Sequence, residues 1–204
     1  MNYHMSLEIT LENASKLMYE IDSKMNGISI PGDIRHRVFF GLLHLSLEHF
    51  GSIVLLSKNR QFASAAALLR PQYEATMRGL YFHECASKHE ISAFTNGKDP
   101  LSLKKMIDAL ENSEISKKGT FSNFYQNNKQ FMHGFTHGGL EQIGRRYTNS
   151  DLTNSFKENE VKSFVANAQL IACLSVCCAS IVSGKEDLAL EFLGKYGNIK
   201  ILSS

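Results

Sequence analysis

The chain has 204 residues, of which 43% are apolar and 21% are charged. This length and composition predict one globular domain over residues 1–204 with a single filled core, and they exclude a largely disordered chain. The formal net charge of +2 is too small to indicate nucleic-acid binding by charge alone, although arginines lie close together at Arg35/Arg37 and at Arg145/Arg146.

The early part of the chain and its cysteines indicate where the protein works. Acidic and polar residues interrupt residues 1–20, so no secretory signal is expected. The segment from Phe164 to Gly184 carries no formal charge, but its Asn, Gln and Ser residues favour a buried core helix over a membrane span. The cysteines lie in apolar helical pattern without a pairing framework, which predicts reduced, buried thiols at Cys85, Cys173, Cys177 and Cys178. We therefore expect a cytoplasmic protein without membrane contact.

The first half of the chain reads as three helices. Apolar residues alternate in steps of four and three from Ser6 to Met25, which predicts an amphipathic helix. Asp33 is the predicted N-cap of a second helix, from Ile34 to Lys58, which is apolar on most sides. A third helix is predicted from about residue 61 to residue 88, and Pro71 within it should kink the axis.

The second half continues in helices after a break at residues 96–100. A polar loop is predicted at residues 112–118, and no alternating strand pattern or internal repeat is visible. The predicted helices are Ser102 to Glu111, Phe121 to Thr136, Leu140 to Tyr147, Glu158 to Ser183 and Glu186 to Tyr196. The sequence therefore predicts an all-α, single-domain bundle of about six to eight helices with a central helix kinked at Pro71.

Three charges interrupt the third helix at i, i+4 and i+8. Arg70, Glu74 and Arg78 share one wall of that helix, and Tyr81 and Cys85 continue the same stripe. Glu74 can pair with either arginine, which leaves a net charge of +1 and guanidinium donors for an anion. One interpretation is an anion or polar pocket. The other is a buried internal brace in which a second helix supplies the missing carboxylate.

Two histidines, His133 and His137, share a face of a later helix. They could provide half of a metal site, completed by Glu74, Glu84 or His83. No Glu separates them as in a zincin, so we assign neither a metal nor a cofactor. The alternatives are that one histidine bonds a carbonyl in the core, or that one of them is a general acid or base beside the arginines.

Two arginine–histidine spacings carry a distant resemblance. Arg78 is followed by His83, and Arg37 by His44, in a pattern that resembles the signature of HEPN domains. These all-helical modules include metal-independent ribonucleases of toxin and phage-defence systems. In the first pair Gly79 follows the arginine, where ribonucleolytic members usually have a polar residue, and five helical positions place the two side chains about 140° apart.

The HEPN resemblance implies a mechanism on RNA or another phosphate ester. Arg78 or Arg70 would stabilise the pentacoordinate phosphorane. His137, with His83 or His44 as alternatives, would deprotonate the 2′-hydroxyl or protonate the leaving oxygen. The catalytic residues of this interpretation are thus Arg78, His137 and His83.

A closer resemblance spans about residues 35–185. The segment from Leu68 to Gly79, LLRPQYEATMRG, together with Thr136 to Gly139, THGG, and Arg145-Arg146, is similar to a family of uncharacterised bacterial all-helical proteins. The resemblance implies a fold and no activity. It also implies that the arginines and the His-Gly-Gly turn belong to one pocket.

Two classes of function follow. The first, which we favour from the sequence, is a non-catalytic binding or dimerisation module, because small residues such as Gly41 and Gly51 suit close helix packing within or between protomers. The second is the ribonuclease or defence effector. The expected partners are a second copy of the chain and RNA or a phosphate-bearing ligand, and the predicted binding residues are Arg70, Glu74, Arg78, His133 and Tyr81.

Overall fold

The computed structural model describes residues 6–117 and 119–197. Both ends of the predicted 1–204 domain, and Lys118 of the predicted polar loop, lie outside the described residues. The all-α multi-helix bundle is confirmed: in the described ranges the only strand-like pairing is an isolated bridge between Tyr147 and Leu152. The helices are α1 (Leu7–Met25), α2 (Ile34–Lys58), α3 (Phe62–Ala67), α4 (Leu69–Glu84), α5 (Lys88–Thr95), α6 (Leu103–Glu111), α7 (Thr120–Thr136), α8 (Leu140–Ile143), α9 (Glu158–Val182) and α10 (Glu186–Tyr196).

Local capping chemistry sets the starts of the first two helices. The Ser6 hydroxyl accepts a hydrogen bond from the backbone N–H of Ile9, and the Asp33 carboxylate accepts one from His36. Such side chains satisfy N–H groups that have no partner inside the helix. The predicted bounds of α1, α2, α6, α7, α9 and α10 are confirmed to within one residue.

The predicted third helix divides near Pro71. Helix α3 ends at Ala67, Leu68 is a single-residue interruption, and α4 begins at Leu69. Pro71 is therefore the third residue of α4, where a helix does not use the backbone N–H that proline lacks. The disruption predicted at Pro71 takes the form of a new helix start.

An arginine of α2 binds the C-terminal end of α4. Arg35, in the first turn of α2, donates hydrogen bonds to the carbonyls of Phe82, His83 and Ala86. Ser87 then begins α5 with a capping box. Because the predicted third helix divides into α3 and α4, and α5 was not predicted, the described residues contain ten helices where the sequence predicted six to eight.

The predicted helix from Leu140 to Tyr147 is wrong in length. Helix α8 ends at Ile143, and the chain then forms an irregular loop up to α9. The carbonyl of Arg146 accepts from the backbone N–H of Thr153, and that of Arg145 accepts from Ser155. Because these two carbonyls pair with N–H groups across the loop, they do not take part in helical hydrogen bonds, and α8 does not continue.

Helices α2, α4 and α9 form the centre of the bundle, with α1 and α10 against α9 and with α7 against α3, α4 and α6.

A buried cluster of hydroxyl groups joins the three central helices. Thr76 of α4 lies 2.7 Å from the Ser46 oxygen of α2 and 2.9 Å from the Ser175 oxygen of α9. Asn167 of α9 donates to Asn128 of α7. Ser175 and the Asn167 amide of the uncharged α9 segment therefore bond to neighbouring helices, whereas the buried Ser180 hydroxyl has no hydrogen-bond partner among the described residues.

Two helices, α2 and α9, are long and apolar enough to cross a membrane by length and composition alone. In the most apolar window of α9, 72% is buried inside the protein, which agrees with the core helix expected from the sequence. The corresponding window of α2 is 39% buried. Helix α2 leaves Ile34, Leu45 and Leu55 exposed.

Close approach of α2 and α4 depends on Gly79. A Cβ atom at this position would lie 3.1 Å from Leu43 Cδ2 and 3.4 Å from the Phe39 carbonyl oxygen.

We predict that Gly79→Leu lowers the free energy of unfolding by about 1–3 kcal/mol, because the larger side chain forces the helices apart. Chemical denaturation measures this. Gly194→Leu on α10, where nothing lies within 4 Å, is the control, and an equal loss in both variants would contradict the prediction.

Candidate functional site

The three charges of α4 form a continuous network at the protein surface. Arg70 Nε donates to Glu74 Oε1 over 2.8 Å, and Arg78 Nη2 lies 3.6 Å from Glu74 Oε2. The side chains are 23%, 20% and 36% exposed for Arg70, Glu74 and Arg78. The buried network predicted from the sequence is thus corrected to a half-buried one. The core-facing side of α4 is instead occupied by Gln72 and Thr76.

The end of α7 brings two histidines to this network. His133 lies in the last turn of α7 and His137 caps the helix. Gly138 adopts a left-handed φ of +64°, and the backbone N–H of Gly139 donates to the Gly134 carbonyl over 2.9 Å. This is the Schellman geometry that commonly ends helices, and glycine adopts its left-handed position without strain. The Gly-Gly pair therefore fixes the position of His137.

Arg70 contacts both histidines with one nitrogen. Its Nη1 atom lies 3.3 Å from His133 Nδ1 and 2.9 Å from His137 Nε2. A guanidinium can only donate, so both ring nitrogens accept and both imidazoles are neutral in this arrangement, with their protons on the opposite nitrogens. The brace interpretation expected a carboxylate from a second helix. In the described residues, α7 contacts Arg70 through two imidazoles instead.

The environment of His133 favours its neutral form. Burial lowers the pKa of His133, and the nearby positive charges of Arg70 and Lys129 lower it further. Two buried nitrogens of the site, His133 Nε2 and Arg78 Nε, have no hydrogen-bond partner among residues 6–117 and 119–197. With two arginines, one glutamate and neutral imidazoles, the network carries a formal charge of +1.

A second arginine network was missed by the sequence analysis. Arg145 donates from Nε and Nη2 to Glu160 of α9 and from Nη1 to Glu141 Oε2 over 3.1 Å, and its guanidinium lies 5.3 Å and 5.5 Å from the ring centres of Phe135 and Phe156. These hydrogen bonds, led by those to Glu160, raise the pKa of Arg145. Arg145 is therefore a structural brace between the α8–α9 loop and α9. The i, i+4 spacing of Glu141 and Arg145 was the signal that could have found half of it.

Two predicted site residues make their contacts elsewhere. The Tyr81 hydroxyl donates to Glu90 of α5. The His83 ring bonds to Glu84 and lies 4.6 Å from the ring of Phe39. The described contacts thus join Arg70, Glu74, Arg78, His133 and His137 in one site and connect neither Tyr81 nor His83 to it.

Within the described parts of the chain, no group of three or more His, Cys, Asp or Glu is placed to hold a metal ion. All four cysteines are free, with Cys173 and Cys177 buried and Cys85 and Cys178 half-buried. Burial raises the pKa of Cys173 and Cys178 to about 12, so these thiols stay protonated and unreactive at neutral pH.

Comparison with known proteins identifies a family. The model of a family of unknown function, DUF6988, matches residues 43–198, which is more than half of the chain. The chain belongs to this family. No curated protein and no solved structure matches it. The function of this DUF6988 member is therefore inferred from the chemistry of the site.

The environment of His133 generates a pH prediction. In histidine-labelled protein followed by NMR, His133 should titrate below the ordinary histidine value of about 6.5, and Arg70→Gln should raise its midpoint, because one positive charge is removed. Since the pKa is lower in the folded state, the stabilisation from neutral His133 is present above about pH 6.5 and is lost as the pH falls through the folded-state pKa. Arg146→Gln, on the exposed loop after α8, is the control. An unchanged midpoint in Arg70→Gln would contradict the assignment.

Proposed function

We propose that this protein is a non-catalytic binding protein, and that the network of Arg70, Glu74, Arg78, His133 and His137 receives a phosphate group of its ligand. A cytoplasmic homodimer stays a prediction from the sequence. The proposal keeps the first of the two classes that the sequence indicated and places its ligand at the contact between α4 and α7.

One observation carries the proposal: two arginines share a single carboxylate. Glu74 binds Arg70 at 2.8 Å and approaches Arg78 only to 3.6 Å. Arg145, by contrast, has two carboxylates and two aromatic faces to itself. The α4 network retains a positive charge that its one carboxylate does not cancel, and an uncancelled charge favours binding of an anion.

The atoms that remain for a ligand are hydrogen-bond donors. Arg70 Nη1 is used by the two histidines and Nε by Glu74, which leaves Nη2. Arg78 contributes the terminal nitrogens of its guanidinium, whereas its Nε and His133 Nε2 are buried. Phosphate presents several acceptor oxygens and matches arginine forks bidentately, so a site with two arginines and a net charge of +1 suits it.

The proposal predicts selective binding of phosphate-bearing probes. In calorimetric titrations, adenosine 5′-monophosphate should bind and adenosine, which differs only by the phosphate, should not. Arg70→Gln or Arg78→Gln should weaken binding by roughly tenfold to a hundredfold, the effect of losing a charge-assisted hydrogen bond.

Arg146→Gln removes an exposed arginine outside the network and is the matched control, so it should bind like the wild type. Each variant is first checked for an unchanged folded fraction by thermal unfolding. Equal binding of the two probes, or full binding by Arg70→Gln, would refute the phosphate site.

A metal-independent ribonuclease is the second candidate, since Arg70 and His137 are only 2.9 Å apart and could act on one phosphate. The same contact also weakens this candidate. A general base needs a free lone pair, and Arg70 occupies the lone pair of His137 Nε2. Catalysis would require Arg70 to leave that nitrogen when RNA binds. The contact therefore favours binding over cleavage.

The two candidates differ in what happens to RNA. A short single-stranded oligoribonucleotide incubated with the wild type and a chelator should be bound and stay intact if the protein only binds. Cleavage that is lost in His137→Ala and Arg78→Ala, together with growth inhibition by the wild type alone, would replace the binding proposal by the ribonuclease.

A further inference from the structure

A cavity of about 340 Å³ lies where the end of α1, the α1–α2 connection, α2 and α9 meet. None of the residues of the α4–α7 network lines it. Its walls are mainly apolar, with side chains from each of these segments: Met25, Ile28, Ile30, Phe40, Leu47 and Ala179. A volume of this size is at the lower end of the roughly 300–1,000 Å³ range of small-molecule sites.

Two polar side chains on α2 face this apolar cavity. Arg37 and His44 line it seven positions apart, so they lie on the same side of the helix, with Gly41 between them. Both side chains are exposed and, within the described chain, neither makes a hydrogen bond or an ion pair. Arg35, by contrast, is used in capping the end of α4. The cavity thus combines apolar walls with one free guanidinium and one free imidazole.

Gly41 keeps this part of the cavity open. A Cβ atom built on it would have nothing within 4 Å, so the missing side chain leaves empty space beside Arg37. A helix interior favours other residues over glycine, so this glycine is not explained by helix stability. The glycine leaves room at the wall of the cavity that a larger side chain would fill.

We infer that this cavity binds a small carboxylate with an apolar body. The apolar walls bury the body of the ligand, and Arg37 pairs with its carboxylate while His44 provides a further hydrogen bond. A nucleotide or sugar phosphate would leave many polar groups against apolar side chains, which is costly. The site is separate from the α4–α7 network and does not depend on the function proposed for it.

The test uses three probes of equal chain length: octanoate, 1-octanol and octylammonium. Their binding to the full chain is followed by saturation-transfer NMR and by shifts of backbone amide signals. Octanoate should bind and shift the signals of Gly27 and Gly41, and octylammonium should not bind. Arg37→Gln, at an exposed position, should weaken octanoate binding by about tenfold or more.

Gly41→Leu should abolish binding by filling the cavity, whereas Gly194→Leu, the same change on an open face of α10, should leave it unchanged. The inference would be overturned if octanoate failed to bind, or if Gly41→Leu bound it fully. It would also be overturned if the wild type bound octanoate and 1-octanol equally and Arg37→Gln did the same. A change of molecular mass in solution with Gly41→Leu, without octanoate binding by the wild type, would assign this face to a second copy and also overturn it.

Discussion

Close packing of α4 against α2 and α9 determines where this protein can carry charge. Gln72, Thr76 and Gly79 follow one another at helical spacing on the core side of α4. Arg70, Glu74 and Arg78 follow one another in steps of four and lie on roughly the opposite side of the helix. Once Gly79 fixes the approach of α2, the charged wall of α4 must lie toward the end of α7. The site is therefore a consequence of how the core packs.

The two arginine networks of this protein differ in how far the arginine charge is neutralised. Arg145 is surrounded by Glu141, Glu160 and two aromatic rings, so its charge and its hydrogen bonds are used within the protein. Arg70 shares one carboxylate with Arg78 and contacts two neutral imidazoles. Neutral partners accept hydrogen bonds without cancelling charge, so α7 orients Arg70 and leaves its positive charge in place, as the proposed phosphate site requires.

Sequence reasoning succeeded where the determining chemistry is local. The cap at Asp33, the apolar periodicity of α1 and the uncharged run of α9 each predicted an element to within a residue. It failed where the determining contact comes from outside the predicted helix. Arg35 reaches the end of α4 from α2, and backbone pairing within the α8–α9 loop shortens α8.

In the candidate site, too, the local spacing was predictable from the sequence and the contacts between helices were not. Helical spacing alone predicted that Arg70, Glu74 and Arg78 share a wall, because i, i+4 neighbours meet on any helix. Spacing could not predict which nitrogen of Arg70 meets His137, which lies 67 positions away in the chain. Neither could it predict that the network would be half-buried, since exposure depends on how α7 packs against α4.

A double-mutant cycle on Arg70 and His137 tests the central claim most directly, because the claim is that one guanidinium joins α4 to α7. The free energies of unfolding of the wild type, Arg70→Gln, His137→Gln and the double variant are measured by chemical denaturation above pH 7, where histidines are neutral. The account predicts a coupling energy of at least about 0.5 kcal/mol between the two residues. Strictly additive effects, with no coupling, would contradict it.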